Sequence, residues 1–124
     1  MNAQAALNSF WNSFDWTAWE ENSVPEEAFS RVNEYITYSA GQNYFDEPMM
    51  LTASLWQRST SWTGTVAKMQ QIAEDIGLGG KFIKTDDGYL WIKRGTPFSQ
   101  RMSDEDPAVR RIYLNIEAEF FTNK

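Results

Sequence analysis

From Arg111 to Phe120 every second residue is apolar: Ile112, Leu114, Ile116, Ala118 and Phe120 alternate with Arg111, Tyr113, Asn115, Glu117 and Glu119. A period of two fits a strand with one covered face and does not fit a helix. Edge strands are usually short or interrupted, so a run this long and regular belongs near the middle of a sheet. A second strand follows from Met49 to Gln57, where Met49, Leu51, Ala53 and Leu55 take one face and Met50, Thr52, Ser54 and Trp56 the other. Between 29 and 39 a looser alternation ends in Tyr35-Ile36-Thr37-Tyr38, all good strand formers. The Gly, Asn, Asp and Pro residues from Ala40 to Pro48 turn the chain between these two strands, which makes a long hairpin.

A sheet with one apolar face needs a cover, and the sequence supplies helices for it. Val66, Met69, Ile72, Ala73 and Ile76 recur at helical spacing. Ser59, Thr60 and Ser61 offer oxygens to the first free N–H groups of that helix, and Gly77 can end it. Leu7, Phe10, Trp11 and Phe14 stand at i, i+3, i+4 and i+7, which predicts an N-terminal helix over about 3–14. Between them, Asp15 to Glu27 carries Trp16, Trp19, an acidic cluster and Pro25 and reads as an extended connection. The two Trp anchor that connection against the sheet or face a neighbouring subunit. After Gly77, the runs Phe82 to Thr85 and Tyr89 to Lys93 flank Asp86-Asp87-Gly88, a hairpin signal. Gly95 to Pro107 has no period and contains two prolines, which predicts a long surface loop with a functional role. The fold class expected is α+β: a mostly antiparallel sheet of about five strands, a long helix on one face and an N-terminal helix, in the order α-β-β-α-β-β-β. The 124 residues fit a single domain, 1–124, with the sheet and helix core over about 30–121.

Composition narrows the function. The chain has no Cys, which excludes disulfides and thiolate metal sites, and no His, which removes the commonest general base and metal ligand. Aromatics are 15% of residues and include six Trp, more than a small core readily hides, so some are expected in contacts with other chains. A net charge of −6 argues against a nucleic-acid binder. No apolar run approaches the ~20 residues that span a bilayer, and the first residues lack the basic start of a signal peptide, so a soluble protein made in the cytosol and free of membrane partners is expected.

The carboxylates cluster as Glu20-Glu21, Glu26-Glu27, Asp46-Glu47, Asp86-Asp87 and Asp104-Glu105-Asp106, each in a turn, in a loop or beside a proline. Solvated acids are ordinary there, and Asp104 to Asp106 lack the spacing of a cation loop. Gly77-Leu78-Gly79-Gly80 follows a helix and precedes a strand, the wrong order for a phosphate-binding turn. We therefore expect no enzyme, catalytic residue, metal or cofactor. Residues 1–30 hold only acidic charges, whereas Lys81, Lys84, Lys93, Arg94, Arg101, Arg110 and Arg111 crowd the second half, an asymmetry suited to head-to-tail contact between like subunits. Interface candidates are Phe98, Gln100, Arg101, Asp104 and Glu105 in the expected loop, with Lys81, Lys84, Asp86 and Asp87 at the hairpin. Phe98 is the expected anchor, since an aromatic among polar residues needs a pocket.

Several stretches in succession carry a resemblance: Tyr35-Ile36-Thr37-Tyr38, Leu55-Trp56-Gln57-Arg58-Ser59, Ile76-Gly77, Arg94-Gly95-Thr96-Pro97-Phe98-Ser99-Gln100 and Arg110-Arg111-Ile112-Tyr113-Leu114-Asn115-Ile116. Over roughly Pro25 to Phe121 the chain resembles the tail-terminator (tail-completion) and minor capsid proteins of long-tailed bacteriophages. The resemblance implies a virion protein at the tail-neck junction, made in the host bacterial cytoplasm. It also implies a homo-hexameric ring that caps the tail tube, stops its polymerisation and joins the head. The implied partners are the tail tube protein and a head-neck connector or stopper protein, with DNA passing through the lumen without sequence-specific binding. The residue pattern itself also admits a small acidic protein-binding adaptor or inhibitor.

Overall fold

The computed structural model describes residues 1–26, 28, 33–40 and 48–122. The expected turn at 40–48 falls largely on 41–47 and the start of the 29–39 alternation on 29–32, so both lie outside the described residues, as do Glu27, Asp46 and Glu47. The elements are α1 (Ala3–Asn12), β1 (Ala18–Glu20), β2 (Glu34–Tyr38), β3 (Met49–Arg58), α2 (Thr63–Ile76), β4 (Lys81–Lys84), β5 (Gly88–Met102) and β6 (Val109–Thr122). They form one six-stranded sheet in the order β1-β2-β3-β6-β5-β4.

The longest regular alternation lies where the pattern placed it, with β6 hydrogen-bonded between β3 and β5. Its residues Ile112, Leu114, Ile116 and Ala118 are buried and face Leu55, Ala53, Leu51 and Met49 across the antiparallel pair. They join Leu90 and Ile92 of β5, Ile36 and Tyr38 of β2, Ile72 and Ile76 of α2, and Leu7, Phe10 and Trp11 of α1 in one apolar cluster. Both helices contribute to the face of the sheet that this cluster covers. Asn2 caps α1 through Oδ1, which accepts from the Ala5 N–H at 2.8 Å. The start of α2 is less direct: Trp62 is the capping residue and makes no side-chain bond, while Ser61 Oγ accepts from the Thr63 N–H at 3.1 Å. Gly77 ends α2 with φ at 73°, a conformation that side chains resist.

Two expectations are corrected. The sheet has six strands and is mixed, because β1, within the expected connection, pairs parallel with β2. Three residues are too few to display an alternation. The larger correction concerns Gly95 to Pro107. The chain continues as β5 to Met102 and pairs with β6 on both sides of a bulge, leaving only 103–108 as a connection. Between Arg94 and Ser99 four residues of β5 stand against one of β6, since Arg94 pairs with Ile116 and Ser99 with Leu114. This bulge, which holds the cis Thr96-Pro97 bond, reverses the phase, so that Ser99 and Arg101 stand opposite the buried Leu114 and Ile112, and it erases the period.

Candidate interaction surface

Among the described residues, α1 and α2 cover one face of the sheet, and the opposite face mixes aromatic and charged residues with small polar ones. Two clusters stand out there. The first crosses the sheet from β1 to β6. Trp19 meets Tyr35 edge to face at 5.8 Å, Tyr35 stacks on Trp56 at 6.1 Å, and the Arg111 guanidinium lies 4.5 Å from the Trp56 ring and 5.6 Å from that of Tyr113. Register makes this ladder, because Tyr35 pairs with Trp56 and Trp56 with Arg111. Polar bonds hold it in place: Trp56 Nε1 donates to Thr37 Oγ1 and Arg111 Nε to Ser54 Oγ. Burial keeps the Tyr35 phenol above its usual pKa, and the charge of Asp104 adds to this against Arg58 and Arg111. Beside the ladder, a cleft of about 350 Å³ is lined by Glu21, Val24, Thr52, Ser54, Arg111 and Tyr113 among others.

The second cluster lies at the far end of the sheet. Phe82 and Trp91 pair across β4 and β5 and stack at 5.3 Å with ring planes 1° apart, while Phe121 lies 6.0 Å from Trp91. Phe82 is 58% exposed, Tyr89 42% and Phe121 41%. Aromatic surface left in water at this density is characteristic of contact surfaces. Gly88 makes the close packing possible, because a Cβ there would strike the Phe121 carbonyl.

The residues proposed from sequence separate into two groups. Lys81, Lys84, Asp86 and Asp87 surround the β4-β5 turn, whereas Phe98, Gln100, Arg101, Asp104 and Glu105 lie near or beyond the other end of β5. At ~3.3 Å per residue the two groups are on the order of 40 Å apart. Several of these side chains have partners within the chain. Lys81 pairs with Asp75 at 2.7 Å, Asp86 pairs with the N-terminal amine, and Arg101 lies over the Trp62 ring at 5.0 Å. Phe98, expected in a loop pocket, is half-buried on a strand and packs against the main core, so its pocket is internal. Gln100, Lys84, Asp87, Asp104 and Glu105 are exposed. Asp106 accepts from the Ala108 N–H, which chiefly holds its carboxyl below the ordinary range, and pairs with Arg58 at 3.2 Å.

Sequence reasoning passed over both aromatic clusters. The signal was present, since Trp56, Tyr113, Tyr89, Trp91 and Phe121 occupy the positions of their strands that oppose the core. Among the described residues, no group of three or more His, Cys, Asp or Glu side chains is placed to hold a metal ion, and no helix is long and apolar enough to cross a membrane.

No family model and no curated protein matches the sequence. The fold does match a solved chain from the virion of a native gene transfer agent particle, with a TM-score of 0.64 over 95% of this chain and 93% of that one, at 15% sequence identity. The two chains share a fold nearly end to end.

Proposed function

We propose that this chain is a structural subunit of a virion, and within it a tail terminator. The fold likeness to a chain of a virion particle carries the proposal, because it spans almost the whole of both chains. The residues between Tyr35 and Ile116 that resemble tail-terminator proteins supply the finer assignment. In this role the protein needs no catalytic step and no cofactor. Copies assemble into a hexameric ring on the last ring of the tail tube, and the ring offers a connector or stopper protein the surface that joins tail to head.

A tube that grows by adding like rings stops when a ring binds the one below and refuses the next. Exposed aromatics supply affinity on one surface, and like charge supplies refusal on another. Each copy brings a charge of −6, so the lumen of a ring would let DNA pass without adhering. In a phage lacking this gene, tails should be overlong and irregular and filled heads should remain unjoined, with purified protein restoring the joining in extracts. Tails of normal length, firmly attached to heads in its absence, would remove the terminator role and leave the adaptor as the better account.

A further inference from the structure

The two edges of the sheet are treated differently. Along β1, Thr17 O and the Glu21 N–H bond to β2, so the backbone groups of Ala18 and Glu20 point away from the sheet. Asn12 closes that edge by accepting from the Ala18 N–H at 2.9 Å and donating to Ala18 O at 3.2 Å, the two bonds a further strand would make. Glu20 O is taken by the Ser23 N–H. Along β4, the Thr85 N–H donates to Gly88 O, and antiparallel alternation then turns Ile83 and Lys81 toward β5 and the backbone of Phe82 and Lys84 outward. The Met1 carbonyl takes the Asp86 N–H at the end of this edge. Among the described residues, nothing takes the outward groups of Phe82 and Lys84.

We propose that β4 is a docking edge for an extended segment of a different protein, which adds a seventh strand to the sheet. Phe82 and Lys84 lie two residues apart and so share the open face. The incoming strand therefore presents an apolar side chain beside Phe82 and, two residues along, a carboxylate beside Lys84. The aromatic row of Phe121, Trp91 and Phe82 ends at this edge with Phe82 more than half exposed, ready to be covered. The charge requirement comes from Lys84, which has no ion-pair partner among the described residues, whereas Lys81 is held by Asp75. A second copy of this chain does not suit the edge. Its β1 is closed by Asn12, and two β4 edges set together would gather the Lys81 and Lys84 of both chains. The inference rests on the hydrogen bonding of the two edges and is independent of the virion role.

The test uses the full chain and a short blocked threonine-rich peptide with one phenylalanine and, two residues on, one glutamate, made in both orders. A twin peptide carries lysine in place of the glutamate. By NMR, the Phe82 and Lys84 amides should exchange freely in the protein alone and slow about tenfold or more with the glutamate peptide, while the lysine twin binds about tenfold more weakly. Lys84→Pro removes an outward N–H and no bond to β5, so it should keep the melting temperature and lose the peptide. Lys84→Glu should exchange the preference between the twins. The proposal is overturned if both amides are already protected in the free protein, if neither peptide slows them at millimolar concentration, or if Lys84→Pro binds as the unaltered chain does.

Discussion

Ile116 and Phe98 show at single-residue scale what a strand pattern reveals and what it hides. Ile116 is fully buried opposite Leu51 and Arg94, and its place in an unbroken alternation identified it as core. Ile116→Asp should leave a buried carboxylate without a partner and cost several kcal/mol, enough to unfold much of the protein. Near-unchanged thermal stability would contradict this. Phe98 lies within the bulge, so nothing in its neighbours' spacing tells whether it faces in or out. Because it packs on the core, Phe98→Ser should lower stability by about 1–3 kcal/mol and act on assembly only through folding. A variant as stable as the parent that fails only in assembly would return Phe98 to the surface. Asp106 adds a pH dependence of known sign. Its folded-state pKa is depressed, so its contribution is complete above the unfolded value near 4 and is lost as pH falls through the folded one. Melting temperature followed from neutral to acid pH should fall less steeply for Asp106→Asn than for the parent over that lowest range.

Elements were legible in proportion to their regularity. The two helices, the 81–93 hairpin and the central place of β6 follow from periods of 3.6 and 2 and from turn residues. The far half of β5 was not legible, because three extra residues in its bulge reverse the inward phase between Arg94 and Ser99. Nor was β1, whose three residues owe their strand state to pairing with β2 and to the side chain of Asn12. A local propensity cannot express either cause. The Asn12 contacts make a specific forecast, since Asn12→Ala frees the Ala18 N–H and C=O and opens the second edge. Stability should fall by about 1 kcal/mol or more. At high protein concentration, sedimentation should show new self-association, because a free edge invites pairing. A variant that stays as monodisperse as the parent would mean that Asn12 does not guard the edge.

At the scale of the whole molecule, among the described residues α1 and α2 lie on one face of the sheet, and on the other Phe82, Tyr89 and Phe121 leave their rings partly in water. Tyr89 and Phe121, each around two-fifths exposed beside a stacked Phe82 and Trp91, form the kind of patch that contact surfaces carry. The sequence hinted at such contacts through its share of aromatics and named Lys81, Lys84, Asp86 and Asp87 at the hairpin beside this cluster, together with Phe98, Gln100, Arg101, Asp104 and Glu105 farther along. It did not name the rings themselves, because it could not show which alternating positions remain uncovered. Placing the contact on the open face separates folding from assembly. Tyr89→Ser together with Phe121→Ser removes side chains that lie outside the core cluster but are partly covered by each other's neighbours, so stability should fall by about 1–3 kcal/mol with the fold kept. In the virion role proposed above, incorporation into particles should nevertheless fall sharply, because aromatic anchors contribute most of an interface's affinity. The measurement is the amount of variant recovered in purified particles relative to soluble protein in the same cells. Recovery equal to that of the parent would show that the open face is not where the proposed subunit meets its neighbours.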